Sequence, residues 1–92
     1  MDIQIRLIEN IIKEQEAIIG PISWEQASKV QGITLDPQTK EITLVGDKKV
    51  IIENLVKQYE SLFGKTSIEV CKEAVKNILP QASKDQVPQI LL

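Results

Sequence analysis

Residues 8–31, IENIIKEQEAIIGPISWEQASKVQ, align without a gap on residues 52–75, IENLVKQYESLFGKTSIEVCKEAV. The identities are Ile8/Ile52, Glu9/Glu53, Asn10/Asn54, Lys13/Lys57, Glu16/Glu60, Gly20/Gly64, Ser23/Ser67 and Glu25/Glu69. Composition alone would supply roughly one or two. The 44-residue offset predicts an internally duplicated chain, each unit holding a helix, a glycine turn and a second helix.

Inside the first unit, Ile5, Ile8, Ile12 and Ile19 fall on one helical stripe, and Leu7, Ile11 and Ile18 make a second beside it. So wide an apolar arc predicts a helix buried on more than one side. Gly20 is expected to end it in a left-handed conformation, and Pro21 cannot continue it. Ser23 with Gln26 predicts an N-cap and capping-box partner for a second helix over about 24–31. Trp24, Ala27 and Val30 form its inner face, and Gly32 stops it.

In the second unit Asp47 is the expected N-cap of helix 3. Its inner stripe is Ile52, Leu55, Tyr59 and Leu62, with Val56 and Phe63 alongside, and Gly64 ends it. Thr66 and Glu69 then offer a capping box for helix 4, whose face is Ile68, Cys71, Ala74, Val75 and Ile78, before Pro80 breaks it. Between the units, residues 33–35 and 41–45 alternate apolar with polar around an Asp36-Pro37 turn, which predicts a β-hairpin with one buried face.

The expected fold is α+β, mostly helical, in the order α-α-β-β-α-α with a two-stranded antiparallel hairpin in the middle. Residues 1–80 make a single duplicated domain, with repeats over about 8–31 and 52–75 and the hairpin over 33–45. Helices 1 and 3 are expected to be central about a pseudo-twofold axis, with helices 2 and 4 flanking. Residues 81–92 carry Pro88 and are expected to form a loose tail, whose apolar end at Ile90, Leu91 and Leu92 needs cover from the domain, a partner or further chain.

Ninety-two residues with 42% apolar content suit one core, filled by aliphatic side chains because the only aromatics are Trp24, Tyr59 and Phe63. A net charge of −2 with both signs interleaved gives no field that would draw duplex nucleic acid or an anionic membrane. No apolar run reaches the roughly eighteen residues of a membrane span. The single cysteine, Cys71, cannot form an internal disulfide, and the first residues lack a signal-peptide profile, so a reducing cytoplasm is the expected location.

Chemistry is sparsely coded. There is no histidine, which removes the commonest general base and metal ligand, and no acidic calcium loop is present. Cys71 lies on an apolar face opposite Ala27 of the first repeat and is expected to be an inert thiol. No catalytic, cofactor-binding or metal-binding residue is assigned, and the chain is not expected to be an enzyme. Glu9, Glu53, Asn10 and Asn54 are the pairs to watch for convergence across the pseudo-twofold axis. Lys48 and Lys49 sit at a helix start, where the dipole disfavours positive charge and an anion could be held.

The segments Ile19-Gly20-Pro21-Ile22-Ser23-Trp24-Glu25-Gln26-Ala27 and Leu55-Val56-Lys57-Gln58-Tyr59-Glu60-Ser61-Leu62-Phe63-Gly64 resemble small uncharacterised modules of cyanobacterial regulatory and signalling proteins. The resemblance covers about residues 8–78, rests on capping and packing residues, and implies an interaction module with no catalytic residue to carry over.

The expected function is therefore a non-catalytic protein–protein interaction or dimerisation module in cytoplasmic regulation, with a homodimer as the first partner and another protein as the second. Candidate contact residues are Ile5, Ile11 and Ile18 on helix 1, Trp24, the hairpin's Ile42 and Leu44, Lys48, Lys49, and Ile90 and Leu91 of the tail. The alternative is a DNA-binding regulator that uses a helix-turn-helix unit after dimerisation, although nucleic acid is disfavoured by the charge.

Overall fold

The two long helices start at aspartates. Asp2 Oδ1 accepts the N–H groups of Gln4 and Ile5, and Asp47 Oδ1 accepts those of Lys49 and Val50, so both helix starts have a side-chain acceptor for their unpaired amides. A computed structural model describes residues 2–92, in the order α1 (Ile3–Ile19), α2 (Ile22–Ser28), β1 (Ile33–Leu35), β2 (Ile42–Leu44), α3 (Lys48–Phe63) and α4 (Thr66–Val75). Three short 3-10 turns follow, Leu79–Gln81, Lys84–Gln86 and Gln89–Leu91. The class is α+β and mostly helical, and the strands pair antiparallel with Ile33 opposite Leu44 and Leu35 opposite Ile42.

Both long helices stop in the same way. Gly20 (φ 76°, ψ −160°) and Gly64 (φ 85°, ψ −176°) each return an N–H to a glutamate carbonyl four residues back, Glu16 and Glu60. This is not the left-handed helical conformation expected for Gly20. It lies in a region that essentially only glycine enters, which is the physical reason for a glycine at both positions.

The predicted capping boxes do not form. α2 and α4 begin earlier than expected, at Ile22 and Thr66, because Ser23 N–H reaches Gly20 O and Ser67 N–H reaches Gly64 O, each at 3.0 Å. The backbone of the glycine turn thus satisfies the first amides. Ser23 is moved into the first turn and faces inward, and Thr66 makes no capping bond. At its other end α2 closes at Ser28 rather than near Gln31, tightening through Lys29 N–H to Gln26 O and Val30 N–H to Ala27 O.

Leu7, Ile8, Ile11 and Ile12 of α1 are wholly buried against Ile51, Ile52, Leu55, Val56 and Tyr59 of α3, Cys71 and Val75 of α4, and Ala27 of α2. α1 and α3 touch each other and both shorter helices, and α1 packs most extensively on α4. Ile33 and Ile42 bury one face of the hairpin. The α3 stripe is corrected at both ends: Ile51 is buried, whereas Leu62 and Phe63 lie outside the core and are partly exposed.

The tail is also corrected. Val87 and Leu91 are buried in the core, Ile90 packs against it, and Gln4 Nε2 donates to Gln86 O at 3.1 Å. Gln89–Leu91 lies on α4 and Lys84–Gln86 on α3. Burying aliphatic side chains of this size is worth about 1.5–3 kcal/mol each, enough to hold such a segment without long secondary structure. The wide apolar arc of α1 is therefore covered inside one chain by α3, α4 and the hairpin, and the expectation that it needs a second subunit loses its basis.

At the centre the halves exchange buried hydrogen bonds. Gln15 Nε2 of α1 donates to Ser67 O of α4 at 3.3 Å, and Tyr59 OH of α3 donates to Ser23 O of α2 at 2.8 Å. Ser23 Oγ gives its own hydrogen to Ile12 O at 2.6 Å and lies 3.2 Å from the phenol oxygen. Tyr59→Phe would remove a buried hydrogen bond between α3 and α2. Urea denaturation is expected to show a loss of about 1–3 kcal/mol, and a loss under about 0.5 kcal/mol would mean the bond contributes no stability.

Candidate functional site

α2 and the hairpin turn line a cleft of about 370 Å³. From α2 come Trp24, Glu25 and Ser28, one helical turn apart, and from the hairpin come Leu35, Asp36, Pro37 and Lys40. Trp24, Leu35 and Pro37 make its apolar surface. The helix face is presented because Ala27 and Gln26 pack inward, which leaves Glu25 and Ser28 outward. Ser28 Oγ donates back to Glu25 O at 2.6 Å, holding the last turn.

The turn is shaped by Asp36. Its Oδ1 accepts N–H groups from Gln38 and Thr39, its carbonyl accepts Lys40 N–H at 2.8 Å, and its N–H reaches Glu41 O at 3.0 Å. The N–H of Thr39 and then that of Gln38 hold the Asp36 carboxyl below the usual carboxylate range. Closing the turn requires φ of +61° at Lys40, the one non-glycine residue with positive φ among the described residues. Glycine would adopt that conformation freely, whereas a lysine costs about 1 kcal/mol. Its side chain lies over the Trp24 ring, with the ammonium 4.6 Å from the ring centroid and 3.7 Å from a Glu16 oxygen.

Trp24 Nε1 is buried and has no hydrogen-bond partner, the one such side-chain atom among the described residues. An unpaired buried donor costs roughly 1–3 kcal/mol. An indole with an orphan donor, capped by a lysine in a disfavoured backbone conformation, is poorly explained by folding stability alone.

The other predicted contact residues scatter. Ile11, Ile42 and Leu91 are core residues and offer no contact surface, Ile5, Leu44 and Ile90 are half-buried against the core, and Ile18 is 64% exposed. Lys48 is bonded to Asp2, which lowers the Asp2 pKa and ties the starts of α1 and α3 together, so it is not free to hold an anion. Lys49 is exposed. Glu9 and Glu53 do not lock across an axis; each pairs with the lysine four residues on in its own helix, Lys13 and Lys57. Lys72 of α4 and Lys76 just past its end pair with Glu69 and Glu73, which offsets their positive charge. No described helix is long and apolar enough to cross a membrane.

Sequence reasoning found Trp24 but missed Lys40, Leu35 and Asp36 as its neighbours. The available signal was that Trp24 stands opposite Ile68 in the alignment, an aromatic unmatched in the other repeat. No family model, curated protein or solved structure matches this chain.

Cys71 lies apart from the cleft, wholly buried beside Gln15 Nε2 at 3.5 Å. Burial pushes its thiol up to about 11 from an ordinary 9.0, and pushes the Tyr59 phenol up to about 12 from 10.0, with the Gln15 amide beside the thiol and the Ser23 hydroxyl beside the phenol partly opposing. The folded chain keeps both protons where the unfolded chain has released them, so stability must fall as pH rises above about 9. The thiol is expected to be unreactive to a disulfide reagent at pH 8 until denaturant is added, and urea midpoints are expected to drop between pH 9 and 11. Rapid native labelling would contradict the burial.

Proposed function

We propose that this chain is a non-catalytic protein-binding module of cytoplasmic regulation, built on a duplicated pair of helical units, and that partners dock at the Trp24 cleft. The observation that carries the reading is a lone tryptophan set in a concave site of about 370 Å³, lined by apolar Leu35 and Pro37 together with Glu25, Ser28, Asp36 and Lys40. Binding clefts have that size and make-up, and tryptophan is the most enriched anchor of protein interfaces. The cleft's Asp36 has a pKa pulled down by backbone N–H groups, away from the neutral range that acid–base work needs, which favours binding over catalysis.

Duplication is supported by the exchanged bonds: donors 15 and 59 differ by 44 positions, and so do acceptors 23 and 67. The repeat builds a scaffold, and Trp24 and the hairpin, which the second unit lacks, give it a site. Peptides displayed on phage and selected on the protein are expected to quench or shift Trp24 emission. They should lose at least about tenfold in affinity with Ser28→Tyr, which fills the cleft from an exposed position, and with Trp24→Leu. Selected peptides indifferent to both changes would place the docking surface elsewhere.

An edge-to-edge homodimer is the second reading. It is favoured by a two-stranded sheet whose outer edges are unpaired and by Val45, 69% exposed just beyond β2. Light scattering at high micromolar concentration separates the two: a dimer that dissociates on Val45→Lys supports this reading, and a strict monomer removes it.

A further inference from the structure

We propose that the Trp24 cleft recognises a basic segment of a partner protein, one lysine or arginine of which takes the place that Lys40 holds in the free chain. This rests on the reading of the cleft as the docking site and names the chemistry it selects. Lys40 acts as an internal stand-in for the ligand. Its ammonium lies 4.6 Å from the Trp24 ring centroid and 3.7 Å from a Glu16 oxygen, the aromatic-plus-carboxylate surroundings that select a cation.

Charge points the same way. Glu25 and Asp36 line the cleft and Glu16 pairs with Lys40, so the acidic side chains outnumber the one lysine there, and an incoming cation is attracted and a phosphate or carboxylate ligand repelled. Trp24, Leu35 and Pro37 supply the apolar surface that the aliphatic stem of a lysine or arginine covers. The stand-in is held loosely enough to leave. Its side chain is half exposed, its ion pair is of the surface kind, and its backbone occupies a conformation glycine would fill at lower cost.

The test titrates acetylated hexapeptides with a central lysine, arginine, norleucine or glutamate into the full chain, following the emission of its single tryptophan. Lysine and arginine peptides are expected to bind at least about tenfold more tightly than the norleucine peptide, with glutamate weakest. Lys40→Gly removes the competitor and relieves the turn, so it should fold as well as the parent and tighten cationic binding about fivefold. Glu25→Gln should weaken it about threefold. Equal affinity for lysine and norleucine, or binding unchanged or weakened in a folded Lys40→Gly variant, overturns the proposal. If cationic peptides fail while phage-selected peptides of other chemistry bind at Trp24, the docking reading stands and the basic-segment inference falls. If peptides of every kind leave Trp24 unaffected at low millimolar concentration, both fall.

Discussion

The structure depends on one exchange of buried hydrogen bonds between its halves. Gln15 on α1 reaches the Ser67 carbonyl that opens α4, and Tyr59 on α3 reaches the Ser23 carbonyl that opens α2. Aliphatic packing is non-directional, so a core of Ile, Leu and Val would tolerate a slip of one helix pair along the other. Two polar side chains, each aimed at one carbonyl in a site closed to water, resist it, because a shift breaks a buried hydrogen bond in each half. Ser23 adds a third constraint by bonding back to Ile12 and holding α2 against α1.

With that register set, the remaining architecture closes around it. The glycine turns at Gly20 and Gly64 send α2 and α4 back across the long helices, and the tail brings Val87 and Leu91 into the same core. One chain therefore hides most of the broad apolar arc of α1, leaving exposed apolar side chains such as Ile18, Ile22, Leu62, Phe63 and Val45. The cleft where α2 meets the hairpin turn, the docking site proposed above, is built on this frame.

That cleft breaks the symmetry of the repeat. Position 24 is tryptophan where position 68 is isoleucine, and only α2 is followed by a hairpin. The features that folding alone does not account for, an orphan indole donor and a lysine with positive φ, occur together there. Natural chains depart from local rules mostly where a site needs them to, so their coincidence gives this corner its weight.

Much was legible in the sequence because it rests on local chemistry. The mostly helical α+β class, the Asp47 cap, helix stops at Gly20 and Gly64, an antiparallel hairpin with one buried face, and the buried thiol of Cys71 all follow from periodicity and backbone preference within a few residues. Tertiary structure decided the rest. It replaced the caps expected of Ser23 and Thr66 by carbonyls of the glycine turns, freeing Ser23 for the core, and it left Leu62 and Phe63 partly exposed outside the core. It buried a tail that looked loose, and it laid Lys40 across Trp24, sixteen positions away in the chain. Each of these turns on which groups meet across distant segments, and a local pattern of residues records the capacity to be buried or bonded without recording the partner.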